Sequence, residues 1–294
     1  MEDLDKTFVR LRPRLQGIAY RMLGTVAEAE EVVQDAWLRW HETAVEGLDS
    51  AEAWLVTVVT RLSIDRLRAA KVQREHYVGH WMPEPVLTDG SPATPEEVLE
   101  RADDISVAFL AVLERLGPEA RAAFLLREVF DTDYGEIARM LGRTEAACRQ
   151  LVHRAKAQVQ EARPRHRVPR ETHLRLLRRF AEASAHGSVR ELEALFADEA
   201  ELVGDGGGKV QTFAKGLRGA RRIAQLYFAV QRRHGASGLR IEVADINGEP
   251  GLLRFIDGRL ESAQTFEIEG ERIVRVRAQR NPDKLMRIAE ALAR

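Results

Sequence analysis

The stretch that decides the fold is "YGEIARMLGRTEAACRQLVHRAK", residues Tyr134 to Lys156. Apolar residues recur at helical spacing on both sides of a short central segment, Gly142–Arg143–Thr144. Glycine readily ends a helix and threonine is a good N-cap, so we predict that one helix ends at Gly142 and the next begins after Thr144. Two short helices joined in this way form a helix-turn-helix.

The second helix of this motif has a basic face. Its apolar stripe includes Cys148, which we expect to pack in the hairpin core rather than to react. Side chains off the stripe donate to phosphates and base edges; they are Arg149, Gln150, His153, Arg154 and Lys156. A generic helical hairpin with a solvated basic face is the alternative. The glycine turn, the cap and the sign of the charge together favour DNA binding.

Charge is unevenly distributed along the chain, although the net charge is only −1. Residues 139–170 hold eight arginines and one lysine against two glutamates, and residues 61–74 hold five basic residues against Asp65. Between these patches, residues 84–104 hold seven acidic residues against Arg101. Two basic patches with an acidic connector fit a nucleic-acid partner better than a single solvated face would.

Composition excludes several classes of protein. The 294 residues are 45% hydrophobic and 31% charged, which fits a globular protein of two or three domains. No run of 18 apolar residues predicts a membrane span, and the N-terminus lacks the apolar core of a signal peptide. The single cysteine leaves no intramolecular disulfide and no cysteine cluster for zinc. We therefore expect a cytoplasmic protein with no metal or cofactor.

The first 80 residues read as helical. In "AEAEEVVQDAWLRW", residues 27–40, one face is apolar, and the opposite face carries Glu31, Gln34, Asp35 and Leu38. The next helix is expected to begin after the N-cap Ser50 and to end in arginine-rich turns near residue 75.

Beyond residue 168 the pattern becomes α+β. Helices are predicted at 172–186, 189–197 and 220–233, and a helix begins again at Pro282 with Asn281 as its cap. Four alternating strands, 239–246, 251–258, 260–270 and 272–279, are separated by tight turns with glycine. These elements predict a cone-shaped domain built on a curved antiparallel sheet. The fold class is therefore multidomain, with two all-α domains followed by an α+β cone.

The glycine-rich stretch "GDGGGKVQTF", residues 204–213, resembles a phosphate-binding loop only superficially. The P-loop pattern requires a hydroxyl residue after the lysine, and Val210 follows Lys209. The first glycine of that pattern is also missing, since Val203 stands in its place. An ordinary turn or a docking surface remains.

Three stretches together resemble bacterial RNA polymerase sigma factors of the extracytoplasmic-function (ECF) type. They are "AEEVVQDAWLRW", "AWLVTVVTRLSIDRLR" and the helix-turn-helix. The resemblance implies a protein that binds bacterial core RNA polymerase and promoter DNA and is not an enzyme. It implies these domains: 1–78, sigma region 2; 79–103, an acidic proline-rich linker; 104–164, sigma region 4; and 169–294, a regulatory domain.

The same resemblance assigns site residues. Polymerase binding falls on Glu31, Gln34, Asp35 and Leu38. The downstream promoter element falls on Arg61, Asp65, Arg66, Arg68 and Arg74. The upstream element falls on Arg143, Thr144, Arg149, Gln150, His153, Arg154 and Lys156.

The region after residue 168 resembles the SnoaL-like, NTF2-like fold, which a SigJ-like subgroup of ECF sigma factors carries as a tail. Three motifs support this: "WMPEP" at 81–85, "DGGGK" at 205–209 and "NPDKL" at 281–285. In that subgroup the tail modulates activity from the same chain. We expect the first motif to pack against the other two, through Trp81, Pro83, Glu84, Pro85, Asp205, Gly206, Gly207, Gly208, Lys209, Asn281, Pro282, Asp283, Lys284 and Leu285.

The sequence also suggests two other functions, an enzyme and a DNA-binding regulator. Enzymes of the NTF2-like fold use an Asp or His base in an apolar cavity, for which Asp205, Asp245 and His186 are candidates. No His–Asp constellation is legible, so catalysis is disfavoured, whereas a small-molecule ligand in the tail stays open. A DNA-binding regulator with a ligand-sensing or vestigial isomerase-like or cyclase-like tail is the alternative function. No dimer seam is evident, and a monomer is expected.

Overall fold

The computed structural model describes residues 2–42, 50–75, 77–88, 105–162, 168–213 and 215–293. Its contacts divide the chain into two compact units, Met1–His76 with Leu110–Ala162, and Tyr77–Phe109 with Arg163–Arg294. The sequence also predicts a helix near Pro95, with Thr94 as its cap, and it lies outside the described residues. The described part of the linker belongs to the same unit as the C-terminal residues. The two helical parts predicted as separate domains share the first unit.

The first unit is helical throughout its described residues. Its helices are α1 (Glu2–Leu23), α2 (Val26–Glu42), α3 (Ala51–Glu75), α5 (Pro118–Glu128), α6 (Tyr134–Leu141) and α7 (Glu145–Ala162), and α4 (Val107–Leu113) leads into it from the second unit. The apolar stripe predicted on α2 is buried, and Trp40 at its end packs on Trp54 of α3. Within the described residues, no helix is long and apolar enough to cross a membrane.

The helix-turn-helix forms as its local sequence predicts. Asp133 caps α6 by accepting from the Glu136 amide, and Gly142 ends that helix at φ 63° and ψ 38°. Thr144 caps α7, because its hydroxyl accepts from the Ala147 amide at 3.2 Å. Cys148 is fully buried, and burial raises the pKa of its thiol. The thiol therefore stays protonated and packs as a small apolar group.

The second unit is an α+β cone. Helices α8 (Arg170–His186), α9 (Val189–Leu195), α10 (Ala220–Gly238) and α11 (Pro282–Leu292) accompany a sheet with the order β2-β1-β6-β5-β4-β3. The strands are β1 (Phe196–Asp205), β2 (Leu217–Arg218), β3 (Leu239–Ile246), β4 (Glu249–Ile256), β5 (Arg259–Glu269) and β6 (Arg272–Gln279). Strands β3 to β6 are an antiparallel meander, as predicted. The α+β fold expected for the tail is thereby confirmed.

Strand β1 corrects the sequence prediction. The helix expected at 189–197 ends at Leu195, and the chain enters the sheet at Phe196. Alanine and glutamate favour helices, but β1 pairs in parallel with β6, so the sheet is mixed rather than wholly antiparallel. Asp205 is therefore the last residue of a strand, and it is fully buried.

Two apolar cores lie on opposite faces of the sheet. One packs the sheet against α8, α9 and α10, with Phe180 edge-on to Phe196, Tyr227 and Phe266. The smaller core includes Leu285 and Ile288 of α11 together with Val107 and Ile246. The smaller core therefore contains residues that precede 110–162 in the sequence and residues that follow it.

Candidate nucleic-acid interface and linker contact

The exposed face of α7 carries the side chains predicted to bind the upstream element. Arg149 pairs with Glu145 at 2.7 Å, and its guanidinium lies 4.9 Å from the centre of the Tyr134 ring. Lys156 pairs with Glu128 at 2.6 Å. A cavity of about 580 Å³ opens on this face. The remaining members, Gln150, His153 and Arg154, are exposed and have no hydrogen-bond or ion-pair partner among the described residues.

The arginines of α3 predicted to bind the downstream element are engaged inside the first unit. Arg61 donates to the carbonyls of Met140 (2.9 Å) and Arg139 (3.3 Å), at the last turn of α6. A guanidinium is stabilised there by the negative end of the helix dipole. Arg68 pairs with Glu119 at 2.7 Å and more loosely with the predicted Asp65 at 3.4 Å. The side chain of Arg74 lies outside the described residues.

Glu119, the second residue of α5, joins the two predicted DNA-binding faces. One carboxylate oxygen accepts from Arg68 of α3, and the other accepts from Arg143 of the helix-turn-helix at 2.6 Å. The carboxylate thus lies between two cations that are predicted to bind different promoter elements. No sequence motif singles out Glu119.

The predicted polymerase-binding residues of α2 divide into two groups. Glu31 and Asp35 both accept hydrogen bonds from Arg66 of α3, and the bond to Glu31 raises the pKa of that guanidinium. Gln34 and Leu38 are exposed, Leu38 at 48%, and Trp37 beside them is also exposed at 38%. The latter three make an apolar and amide surface open to a partner.

Asp205 is the centre of a contact within the second unit between the linker and the tail. Its carboxylate accepts from the Tyr77 hydroxyl at 2.6 Å and from the Met82 amide at 2.9 Å. It also accepts from Gly207, Gln279 and Lys284. Burial raises the pKa of the Tyr77 hydroxyl and the adjacent carboxylate raises it further, so the hydroxyl remains a donor.

Lys284 completes this contact with a buried positive charge. Its ammonium lies 2.8 Å from Asp205, donates to the Met82 carbonyl at 2.6 Å, and sits 4.3 Å from the centre of the Trp81 ring. Its side chain is 10% exposed and that of Asp205 is 0% exposed. Both members of this buried charge pair make further hydrogen bonds. Removing only one member leaves the other charge buried without its partner, which costs free energy of folding.

The other motif residues surround this pair. Gln279 donates to the Pro83 carbonyl, Glu84 is buried 3.5 Å from Arg287, and Lys209 pairs with Asp283 at the exposed rim. A Cβ on Gly207 would lie 2.3 Å from Asn281, and one on Gly206 would lie 2.0 Å from the Val210 carbonyl. Glycine at these positions therefore permits the close approach of the loop. The remaining motif members lie at the same contact; Pro85 is buried, Leu285 enters the smaller core, Gly208 faces Val78, and Pro282 is the first residue of α11.

Comparison with known proteins identifies the family of this chain. The Sigma-70 region 2 family matches residues 7–72, and the Sigma-70 region 4 family matches residues 106–159. The ECF RNA polymerase sigma factor SigJ of Mycobacterium tuberculosis is 38% identical over 247 residues, which cover 83% of this chain and 78% of SigJ. The chain belongs to the ECF RNA polymerase sigma factors.

Two further matches extend over nearly the whole chain. The probable ECF sigma factor SigI of M. tuberculosis is 30% identical and is matched over 93% of this chain and 92% of its own length. The crystal structure of M. tuberculosis SigJ superposes with a TM-score of 0.75 at 33% identity, covering 96% of this chain and 98% of SigJ. The tail therefore belongs to the architecture that this sigma factor shares with SigJ.

The structure of the sigma factor also shows residues that sequence reasoning missed. Tyr77 and Gln279 contribute directly to the Asp205 contact, yet each lies just outside a recognised motif. An aromatic residue close to "WMPEP" and a polar residue at the end of a strand were the available signals. The partners of Arg61 and Arg68 had no signal at all, because they lie 51 to 79 residues away in the chain.

Proposed function

We propose that the tail of this ECF sigma factor controls promoter recognition by holding the segment that follows region 2. The observation that carries the proposal is the buried Asp205, which binds both Tyr77 and Met82 of that segment. In this proposal the sigma factor acts in the cytoplasm, binds core RNA polymerase through the exposed face of α2, and reads DNA with α3 and α7.

A contact role for the tail fits better than a catalytic one. Each candidate base is otherwise engaged: Asp205 binds the linker, Asp245 is paired with Arg170, and His186 is exposed and bonded to the Glu182 carbonyl. Inside the cone, the Tyr227 hydroxyl donates to Gln264, and burial raises the pKa of that hydroxyl. It therefore stays neutral and serves the packing of the domain.

The first test is Tyr77→Phe in the full chain. The change removes one hydrogen bond to a charged acceptor, which is worth about 1.5–3 kcal/mol, and so loosens the linker. A looser linker must lose more conformational freedom when both promoter elements are bound. We expect transcription with core polymerase, at a promoter that the wild-type protein uses, to fall about tenfold.

The matched control is Tyr227→Phe, which removes a buried hydroxyl from the cone without touching the linker, whereas Tyr77 is only partly buried. It should leave initiation near the wild-type level. If both variants lose activity equally, the effect comes from tail stability alone. If Tyr77→Phe leaves initiation unchanged or raises it, the tail does not promote recognition through this contact.

A second prediction concerns the first unit. We infer that the free sigma factor keeps cations of both DNA-binding faces occupied through Glu119. Glu119→Gln should release Arg68 and Arg143 and raise the affinity of the free protein for promoter DNA by about fivefold, as expected for weakening two partly exposed pairs. Electrophoretic mobility shift or fluorescence anisotropy measures this directly.

Glu128→Gln controls for the change of charge. Glu128 is on the same helix and pairs with Lys156, but this pair lies wholly within region 4. Both substitutions remove one negative charge near the DNA-binding face, and only the first unties region 4 from α3. Equal gains in affinity for the two variants would mean that the loss of a nearby negative charge, and not the separation of region 4 from α3, is responsible.

A further inference from the structure

The turn between β3 and β4 gathers chain segments that are far apart in the sequence. We call the residues Asp245, Ile246, Asn247 and Gly248 the hub. Asn247 and Gly248 have φ of 53° and 78°, and Asn247 and Ile246 are fully buried. Asparagine tolerates this left-handed backbone better than most residues, and glycine adopts it freely. A tight turn with buried polar atoms requires partners for them, and these come from outside the sheet.

The first partner is Val86–Thr88, the last three described residues of the linker before residue 105. The Asn247 amide donates to the Val86 carbonyl at 2.8 Å, and the Val86 amide donates to the Asn247 side chain at 2.9 Å. The Thr88 amide donates to the Asp245 carbonyl at 2.9 Å, and the Gly248 amide donates to the Thr88 hydroxyl at 2.9 Å. The linker thus adds one short rung to the exposed edge of the sheet at Leu87 and Ile246.

The second partner is Arg170, the first residue of α8. Its guanidinium donates to both carboxylate oxygens of Asp245, at 2.5 and 2.7 Å, and the Asp245 side chain is only 17% exposed. Both bonds come from one guanidinium nitrogen, Nη2, so a single charged donor is shared by the two carboxylate oxygens. Arg170 begins the described helix that follows region 4, so this pair holds the chain where it returns from region 4.

Val107, close to the start of region 4, supplies a third attachment. It belongs to the smaller apolar core together with Ile246 of the hub. The chain therefore departs for residues 110–162 from this core and returns at Arg170, which binds the neighbouring hub residue Asp245. Anchoring both ends of a segment reduces the positions that it can reach far more than anchoring one end.

From this arrangement we propose that Asp245 is a positioning residue that sets which distance between the two promoter elements the sigma factor accepts. The Asp245 side chain acts through Arg170, which follows region 4, and its backbone carbonyl holds Thr88 of the linker that precedes region 4, while the Asp205 contact holds the chain that leaves region 2. The inference rests on the proposed function of the tail. The sigma factor is then selective for promoter DNA with one distance between the two elements. Loosening the hub should let promoters with neighbouring distances compete.

The test uses the full chain, core polymerase and a series of promoters that differ only by single base pairs between the upstream and downstream elements. The variant is Arg170→Gln. The control is Arg175→Gln on the same helix, which breaks an exposed pair between Arg175 and Glu271. We expect the ratio of transcription at the best spacing to that at the adjacent spacings to fall about fivefold in Arg170→Gln. Arg175→Gln should keep the wild-type ratio.

Reversal of the charges provides the rescue. Arg170→Asp and Asp245→Arg singly should flatten the spacing profile, and the double variant should sharpen it again. A loss of transcription that is uniform over all spacings would assign Asp245 a purely structural role and overturn the proposal. If Tyr77→Phe lowers initiation while Arg170→Gln leaves the profile unchanged, the hub inference fails and the function of the tail stands. If Tyr77→Phe has no effect but Arg170→Gln flattens the profile, the Asp205 contact fails and the hub stands.

Discussion

Lys284→Met is expected to lower the free energy of unfolding of the tail by about 3–5 kcal/mol. The substitution leaves the Asp205 carboxylate buried without its cation and also removes the hydrogen bond to the Met82 carbonyl. Denaturant unfolding of the full chain would measure the loss. Hydrogen exchange at the Met82 amide, which donates to Asp205 at 2.9 Å, would show that the linker contact opens with it.

Lys209→Met is the matched control, because it removes a lysine from the same contact at its exposed rim. The side chains of Lys209 and Asp283 are 57% and 62% exposed, and such pairs contribute about 0–1 kcal/mol. The double variant Lys284→Met with Asp205→Asn should recover much of the loss, since no unpaired charge then remains buried. A single variant no worse than Lys209→Met would show that the pair is solvated rather than buried.

Local patterns in the sequence predicted the helical part of the fold. The helix-turn-helix depends on a glycine, a threonine cap and two apolar stripes within 23 residues, and each is visible without knowing the rest of the chain. The buried face of α2 follows from the same 3.6-residue period. The hairpins of the tail are predicted by their glycine turns, two of which carry asparagine or aspartate before glycine and the third glutamate.

Features that depend on distant partners were not predictable in this way. Strand β1 is stabilised by pairing with β6, more than 70 residues later, and its alanines and glutamates by themselves favour a helix. Asp205 was placed in a glycine loop, whereas the tail and the linker together bury it. The motif resemblance predicted which segments meet. Only the structure shows the charged pair of Asp205 and Lys284 at the centre of their contact.

The internal engagement of the DNA-binding arginines shows the same limit. The sequence assigns Arg61 and Arg68 to DNA by their charge and position, and this assignment stays a prediction. The structure adds that each also has a partner within the protein, the end of α6 for one and Glu119 for the other. If promoter DNA binds these arginines as predicted, it competes with these partners, and the strength of the internal contacts then contributes to the binding affinity.

Among substitutions that act on the contact between Glu119 and Arg68, Arg121→Met is expected to have the largest effect on stability. It should destabilise the first unit by about 3 kcal/mol. Arg121 of α5 is 2% exposed and donates at 2.6 Å to the Met22 carbonyl, one of the last carbonyls of α1, which have no partner within their own helix. It also pairs with Glu114 at 2.7 Å. Methionine fills similar space but leaves the carbonyl and the carboxylate without their donor.

Two measurements separate the consequences for stability from those for function. Arg115→Met, an exposed arginine six residues earlier, is the control and should shift the unfolding transition by less than about 0.5 kcal/mol. At denaturant concentrations where Arg121→Met is still folded, its affinity for promoter DNA should rise as in Glu119→Gln, because α5 carries Glu119 away from Arg68 when it separates from α1. A destabilised variant with unchanged affinity would mean that α5 remains in place without Arg121 and that Glu119 alone holds the two faces together.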